Sequence, residues 1–510
     1  MPAMENQLYD VIIVGRGPVG LFLACELLLQ DVSVLVVERR LAMGLGDLPE
    51  TRACIVHART QEILAARGLL PTFNKVSSKT NWWHYGILET RLQFGALDDE
   101  TLENHVMFTP QSQTEEILLR RALELGVVVQ LGAKVKSLDQ SADEVTLRGS
   151  LIKDTNGDSI EEDFTVRGKY VVGCDGWRSS VRELAKFNWE QRDATHVMWS
   201  AEATPGVDMG PFNITKNDAG ILIMCKMDVP SGRSRIACWT PSRNDLDATE
   251  PFTLEEFNQA LTEITGRDNR LGNPKGLARF TNMSGYVTEY RKGRVFLGGD
   301  AAHRHLPAGG QGMNLGIQEV NNLAWKLGAV IRGEAPDTLL DTYGSERLSI
   351  AQGVVTNTTA QSLLFFAHTR PETAIRESLN KILEVPEANR KLALEISGLS
   401  HAYPAPLEMI RPEGWDALPK ELSGKRAPDV KVRTTDGDEK YLHDFLKGGK
   451  WVQFVFSDRH STGNVGVPAF VGRTEVVSVA EILGNWGGMY KGPHSQILIR
   501  PDGHFGFGKL

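Results

Sequence analysis

A chain of 510 residues exceeds what one hydrophobic core accommodates, so two or three domains are expected. With 41% hydrophobic and 24% charged residues it has the balance of a soluble globular protein, and no apolar run approaches the roughly 20 residues of a membrane span. A net charge of -8 argues against nucleic acid as a partner and favours solubility.

Only Met1 to Leu8 precede the first strand-like run, which leaves no room for a signal peptide. The five cysteines (Cys25, Cys54, Cys174, Cys225, Cys238) show neither Cys-x-x-Cys nor a ligand spacing, so reduced thiols and a cytoplasmic location are expected.

Residues 8 to about 75 have a β-α-β pattern followed by a helix. The run Asp10 to Val14 turns through Gly15-Arg16-Gly17-Pro18-Val19-Gly20 into a helix, Pro18 to Leu29, that is apolar on most faces. A second β run, Ser33 to Val37, closes on Glu38, about 20 residues beyond the glycines. This is the dinucleotide fingerprint in its required context. Glycines permit the turn and close pyrophosphate approach, the helix N-terminus faces the phosphates, and the acid takes a ribose hydroxyl.

A helix starting near Gln113 leads to Val127-Val128-Val129-Gln130, and alternating strands follow to about 148 and over 164 to 173. Residues 190 to 280 alternate apolar segments such as Gly220 to Cys225 and Arg235 to Trp239, which suggests a mixed β layer. A buried run then ends at Gly298-Gly299-Asp300, where a carboxylate at the sheet's carboxyl edge could accept from hydroxyls of a long dinucleotide; a helix N-cap is the plainer alternative. From there to about 395 the pattern is helical. The proline-spaced segment 401 to 430 resembles a linker, and Trp451 to Phe456 and Ser495 to Gly503 outline strands of a small third unit.

Three motifs, in order and spacing, resemble the flavoprotein aromatic hydroxylases of the p-hydroxybenzoate hydroxylase type. They are the Gly15/Gly17/Gly20 fingerprint, the stretch Gly173-Cys174-Asp175-Gly176 to Arg182, and Gly299-Asp300 running on to His305-Leu306-Pro307-Ala308-Gly309-Gly310-Gln311-Gly312-Met313-Asn314. The likeness spans roughly residues 8 to 370. The ending Arg500-Pro501-Asp502-Gly503-His504 is similar to the tail of members acting on polycyclic polyketides and rifamycins.

The resemblance implies an α/β fold: an FAD-binding Rossmann-like domain, a β-sheet substrate domain and a C-terminal thioredoxin-like domain. The expected bounds are 1-185 for the first part of the FAD domain, with 76-110 contributing to the substrate pocket, 186-280 for the substrate sheet, 281-400 for the second part and 412-510 for the third unit. No cysteine follows Cys238, so disulfide exchange in the third unit is excluded. The family's FAD contacts carry over to Gly15, Gly17, Gly20, Glu38, Arg39, Arg52, Gln111, Val135, Asp175, Asp300, Pro307, Gly310, Gly312, Met313 and Asn314. Gln113 competes with Gln111. Arg16 departs from the family, which commonly has alanine there.

Arg52 beside the flavin and Tyr85, from the aromatic run Trp82-Trp83-His84-Tyr85, are the candidates for a catalytic contribution, the run being core packing in the blander reading. The implied reaction is an NAD(P)H-dependent monooxygenation in secondary metabolite biosynthesis: NADPH or NADH binds transiently and reduces FAD, O2 adds to the ring, and the hydroperoxide hydroxylates a phenolic or polycyclic aromatic small molecule. Baeyer–Villiger insertion by the same flavin and a non-catalytic flavin scaffold stay open, as does a homodimer. His303-x-His305 lacks further ligands for a metal, no Gly-x-Ser-x-Gly elbow occurs, and the halogenase sequence Trp-x-Trp-x-Ile-Pro is absent.

Overall fold

The computed structural model describes residues 7-41, 53-155, 158-207, 209-210, 212-228, 232-244, 252-404, 407-457, 473-484, 489-490 and 492-509. Arg52 lies outside them.

Strand Leu8–Val14, six of whose seven residues are apolar or aromatic, sits mid-sheet in an eight-stranded layer. It runs parallel to Val34–Val37 on one side and to Asp158–Gly173 on the other. Val295–Leu297 adds in parallel beyond Gly173, and Val128–Gln130 beyond Val37. The register pairs Val14 with Val37 and with Gly173, and Gly173 with Leu297. Four strands therefore end in one row, and the segments that follow them (15–17, 38–40, 174–176 and 298–300) emerge along a single edge. Ligands of open parallel sheets bind at that carboxyl edge.

Helix Pro18–Leu29 carries nine buried residues, the burial expected of a helix enclosed on both flanks, and it packs between Gln111–Glu124 and Gly312–Ile331. The helix after Pro110 starts at Gln111 rather than near Gln113, with Pro110 as its N-cap.

Residues 197–281 form the expected β layer, but its pairing is wholly antiparallel: Phe212–Asn217, Gly220–Asp228, Arg233–Trp239, Val197–Thr204 and Gly272–Thr281, in that order. The period of two sorts its faces. Leu222 and Met224 pack on helix Leu254–Thr265, which a Thr253/Glu256 capping box opens. Ile221 and Ile223 point the other way and meet Leu306, Ala308 and Phe365. This roof sheet thus closes over the chain that follows Asp300.

The C-terminal chain builds a seven-stranded sheet, ordered Asp416–Ala417, Phe505–Lys509, Gln496–Ile499, Trp451–Phe456, Thr474–Leu483, Lys431–Thr434, Glu439–Tyr441. The proline-spaced segment before it is no loose tether. Tyr403 hydrogen-bonds Gly424 and stacks on His504 at 4.2 Å, and Leu407, Ile410 and Trp415 are buried against Trp325 and Trp451.

Charge fixes this sheet to helices Gly312–Ile331 and Asp341–Phe366. Arg500 bonds Glu346 through both terminal nitrogens at 2.9 Å, and its Nη2 lies 2.6 Å from Asp502. Lys326 reaches Glu346 at 2.7 Å, and Trp325 donates to Asp502 at 3.2 Å. Arg67 joins Glu26 to the carbonyls of Leu446 and Pro501. Burial raises the Glu346 carboxyl, but Arg500 and Lys326 outweigh it and hold it at about 2. Breaking a buried pair strands the remaining charges, at about 3–5 kcal/mol. Arg500→Ala should therefore lower the thermal unfolding midpoint markedly by circular dichroism, while the exposed Lys440→Ala leaves it near wild type. Equal midpoints for the two variants would contradict this account of the docking.

Candidate active site

The fingerprint turn is held by contacts that only glycine allows. Gly15 has φ +105°, and a Cβ there would sit 2.4 Å from the Cys174 carbonyl oxygen; at Gly20 it would sit 2.1 Å from the Gly15 carbonyl oxygen. At Gly17, the N-cap of the helix, nothing lies within 4 Å of that position, so the backbone is open to a ligand next to the helix's positive end.

Glu38 is buried, and its two oxygens accept from the Arg16 and Arg40 amides, each at 2.8 Å. A carboxylate has about four acceptor positions, so it retains room for a hydroxyl. Arg40 continues the chain of charge to Glu115 at 3.4 Å, and Gln111 donates to Glu115 at 2.8 Å while accepting from the Ala53 amide at 3.0 Å. Gln111, rather than Gln113, is therefore the glutamine tied into this edge. Arg16 is fully buried beside Arg40, Glu38 and Glu115, and burial lowers its pKa. Arg39 is exposed, and Val135 lies on a strand whose start, Ala133, bonds the Glu38 carbonyl.

Asp175 is committed within the protein. Its Oδ2 accepts from the Ser180 amide at 2.7 Å and the Ser180 hydroxyl at 2.9 Å, at the start of the short helix Ser180–Leu184 that Ser179 caps. Asp300 is the opposite case. It is exposed, and among the described residues no donor bonds its carboxylate. A Cβ on Gly312 would sit 3.8 Å from Asp300 Oδ1 and 3.4 Å from His305 Nε2, which brings the carboxylate to the N-terminus of the 20-residue helix Gly312–Ile331.

The turn at Asp300 is set from behind. The buried Glu319 accepts from the Gly299 amide at 2.9 Å, the Tyr290 hydroxyl at 2.7 Å and His303 Nε2 at 3.0 Å. The loop over Pro307–Gln311 is equally fixed. Gly309 and Gly310 have φ +77° and +72°. Asn314 accepts from the His57 amide at 2.8 Å and donates to the carbonyls of Ile55 and Gly310 at 2.9 and 2.8 Å, so its side chain knots the loop to strand Ile55–Val56. Pro307 is exposed, and Gly312 and Met313 are half-buried at the helix start.

Two rings that sequence patterns did not single out as loop anchors complete the site. Trp83 Nε1 donates to the Gly309 carbonyl at 3.0 Å, and His57 Nε2 meets the same oxygen at 2.7 Å. The carbonyl only accepts, so His57 carries its proton on Nε2 and leaves Nδ1 bare. His84 is buried between Trp83 and Phe365, and Tyr85 is half-buried on the same apolar cluster, its hydroxyl pKa raised by burial and then by Glu395.

The comparisons with known proteins agree with this geometry. The FAD binding domain family matches residues 8–358. The chain is 36% identical to the 12-dehydrotetracycline 5-monooxygenase/anhydrotetracycline 6-monooxygenase of Streptomyces rimosus over 97% of its length and 94% of the relative's. It is 32% identical to a rifampicin monooxygenase of Rhodococcus hoagii, with 97% and 94% covered. The solved anhydrotetracycline hydroxylase OxyS of Streptomyces rimosus superposes with a TM-score of 0.83 at 34% identity, covering 99% of this chain and 96% of that one. The chain belongs to the FAD-binding flavoprotein aromatic hydroxylases. As a hydroxylase of this family it is a monooxygenase with FAD as its cofactor, and the residues fit that group: an open helix N-terminus, a buried acceptor at one end and an exposed carboxylate at the other. Among the described residues no helix of the hydroxylase is long and apolar enough to cross a membrane.

The hydroxylase's buried imidazoles make its stability pH-dependent. Burial lowers His57 from 6.5 to about 4 and His84 from 6.5 to about 3. As pH falls below 6.5 the unfolded chain takes up these protons first, so stability present above that pH is lost progressively down to the folded values. In urea titrations from neutral pH down to the folded value of His57, about 4, His84→Phe should lose less stability than wild type. Parallel losses would contradict a neutral His84.

Proposed function

We propose that the enzyme hydroxylates a phenolic ring of a polycyclic, polyketide-like molecule, taking electrons from NADPH and one oxygen atom from O2. The observation that carries this reading is the seam between the roof sheet and the flavin-side loop. There Ile214, Ile223 and Phe280 face Leu306, Ala308 and Phe365, and Leu306 and Ala308 lie on the loop that leads into the helix Gly312–Ile331. An apolar wall keeps water from the reacting centre, where stray protons would divert reduced oxygen to peroxide. The named activities of the tetracycline and rifampicin relatives support a substrate of that shape.

FAD, when bound, supplies the electron transfer and oxygen activation; the protein binds, orients and insulates. In this reading Gly15, Gly17 and Gly20 receive the pyrophosphate at the helix end, and Glu38 takes the ribose, with Arg39, Gln111 and Val135 along the adenosine side. Asp300 accepts from the ribityl hydroxyls. The first-turn amides of Gly312, Met313 and Asn314, after the Pro307–Gly310 turn, would lie toward the ring, where the positive helix end would stabilise negative charge. Asp175 shapes the turn at Gly176, and Arg52, by the family resemblance, would pair with the pyrophosphate or polarise the substrate. His84 and Tyr85 lie on the substrate wall, and the Tyr85 hydroxyl orients the phenol.

The domain bounds follow the same division: 1-185 with 281-400 for FAD, 186-280 for substrate and 412-510 for a structural unit. The strand order of that unit, with Trp451–Phe456 parallel to Thr474–Leu483 and a C-terminal antiparallel hairpin, supports a thioredoxin-like origin without its thiols.

Gly15→Ala combined with Asp300→Ala should abolish flavin content, read as visible absorbance after desalting, because each change removes a different end of the grip. Retained flavin would contradict both assignments. NADPH oxidation should be slow alone and rise with a matching phenol, naphthoquinone or anthraquinone, with little peroxide formed. Fast, substrate-independent oxidation with stoichiometric peroxide would make the protein an oxidase instead. Tyr85→Phe should lower kcat/KM about 2- to 10-fold, the loss of one hydrogen bond, with flavin content unchanged.

A further inference from the structure

Two cysteines far apart in sequence meet where the flavin-side chain touches the roof sheet. Cys54 is half-buried immediately before strand Ile55–Val56, its carbonyl bonded by the Thr109 amide at 2.8 Å. Cys225 lies on Gly220–Asp228, and the alternation that turns Leu222 and Met224 to the helix turns Ile221, Ile223 and Cys225 toward the flavin side. Its cross-strand partner Phe212 packs on Trp83 at 5.3 Å and Phe108 at 5.6 Å, in the same apolar cluster that holds Cys54. Cys54 and Cys225 therefore come together at the seam, near enough for each to shift the other's titration.

The surroundings distinguish Cys54 from the other four cysteines. The hydrogen bond from Cys225 lowers its pKa, opposed by burial and assisted by Arg235, which stands opposite Cys225 in the register. Burial pushes Cys238 up to about 12 and raises Cys25 and Cys174 as well. A cysteine with a cation and a second thiol beside it is the arrangement of redox-active sites.

We propose that Cys54 and Cys225 are a modification site: a dithiol that hydrogen peroxide converts to a disulfide across the seam between strand Ile55–Val56 and the roof sheet. The Cys54 thiolate attacks one peroxide oxygen. A sulfur–oxygen bond forms, the oxygen–oxygen bond breaks, and the departing hydroxide takes a proton to become water. Cys225, losing its proton, then attacks the Cys54 sulfur; the sulfur–sulfur bond forms and the sulfur–oxygen bond breaks, releasing the second water. One peroxide is reduced by two electrons, and two thiols are oxidised to one disulfide. The peroxide's source rests on the monooxygenase reading, since oxygen reduced without reaching a substrate leaves as peroxide. The dithiol chemistry itself does not. The closed bond would pin the roof sheet to the flavin-side wall and slow turnover when substrate is lacking.

The test supplies hydrogen peroxide directly to the full-length holoenzyme and maps the thiols by alkylation and non-reducing peptide mass spectrometry. The expected result is a peptide pair joined through Cys54 and Cys225, lighter by two hydrogens and reopened by dithiothreitol. Its formation should be about tenfold faster than oxidation of Cys25, Cys174 or Cys238, because a second thiol stands beside Cys54 to close the disulfide. Cys225→Ser should instead let dimedone trap a sulfenic acid at Cys54. If Cys54 and Cys225 stay alkylatable, or oxidise no faster than the buried three, the proposal is overturned. NADPH oxidation plays no part in this readout, so the proposed reaction and the dithiol stand or fall separately.

Discussion

Parallel hydrogen bonding among four strand ends is the constraint on which the rest depends. Val14 aligns with Val37 and Gly173, and Gly173 with Leu297, so chain points nearly three hundred residues apart open onto one edge. Parallel pairing requires long crossovers, and the roof sheet is inserted in the one between Gly173 and Val295. The edge becomes a binding site because its turns are immobilised from behind. Glu319 fixes the Gly299 amide, Asn314 fixes the Gly310 carbonyl, and Glu38 gathers the amides of Arg16 and Arg40. Such anchoring costs no reorganisation when a cofactor arrives.

The C-terminal sheet uses a different principle. Its contact with the flavin side combines an apolar patch around Trp325 and Trp451 with the buried Arg500, Asp502, Glu346 and Lys326. Apolar contact alone would tolerate sliding; four mutually satisfied charges fix one orientation. The motif Arg500 to His504 near its end is spent on this contact.

The fold was legible wherever a local pattern encodes it. The turn Gly15 to Gly20, the enclosed helix after it, the alternation of Gly220 to Cys225 and the glycines before Asn314 each carry their structure in adjacent residues. The place of Asp300 at the sheet edge was legible because a buried apolar run leads directly into it. What stayed hidden depends on distant partners. No spacing reveals that His57 and Trp83 share the Gly309 carbonyl, that Glu319 holds Gly299, or that Asp175 spends its charge on Ser180. Arg16 would be taken for a cation beside the phosphates, yet burial among Arg40, Glu38 and Glu115 places it inside. Proline spacing over 401–430 suggests a tether because it reports local stiffness; the stacking of Tyr403 on His504 is set by tertiary contact.

The central claim is that one sheet edge holds FAD so that its reacting ring meets an aromatic molecule under a dry roof. Turnover under heavy-isotope dioxygen tests it most directly, with the product analysed by mass spectrometry. The account predicts a single heavy oxygen atom in the product, inserted from O2 in step with NADPH consumed. A product bearing only oxygen from water, or one formed without consumption of O2, would contradict it.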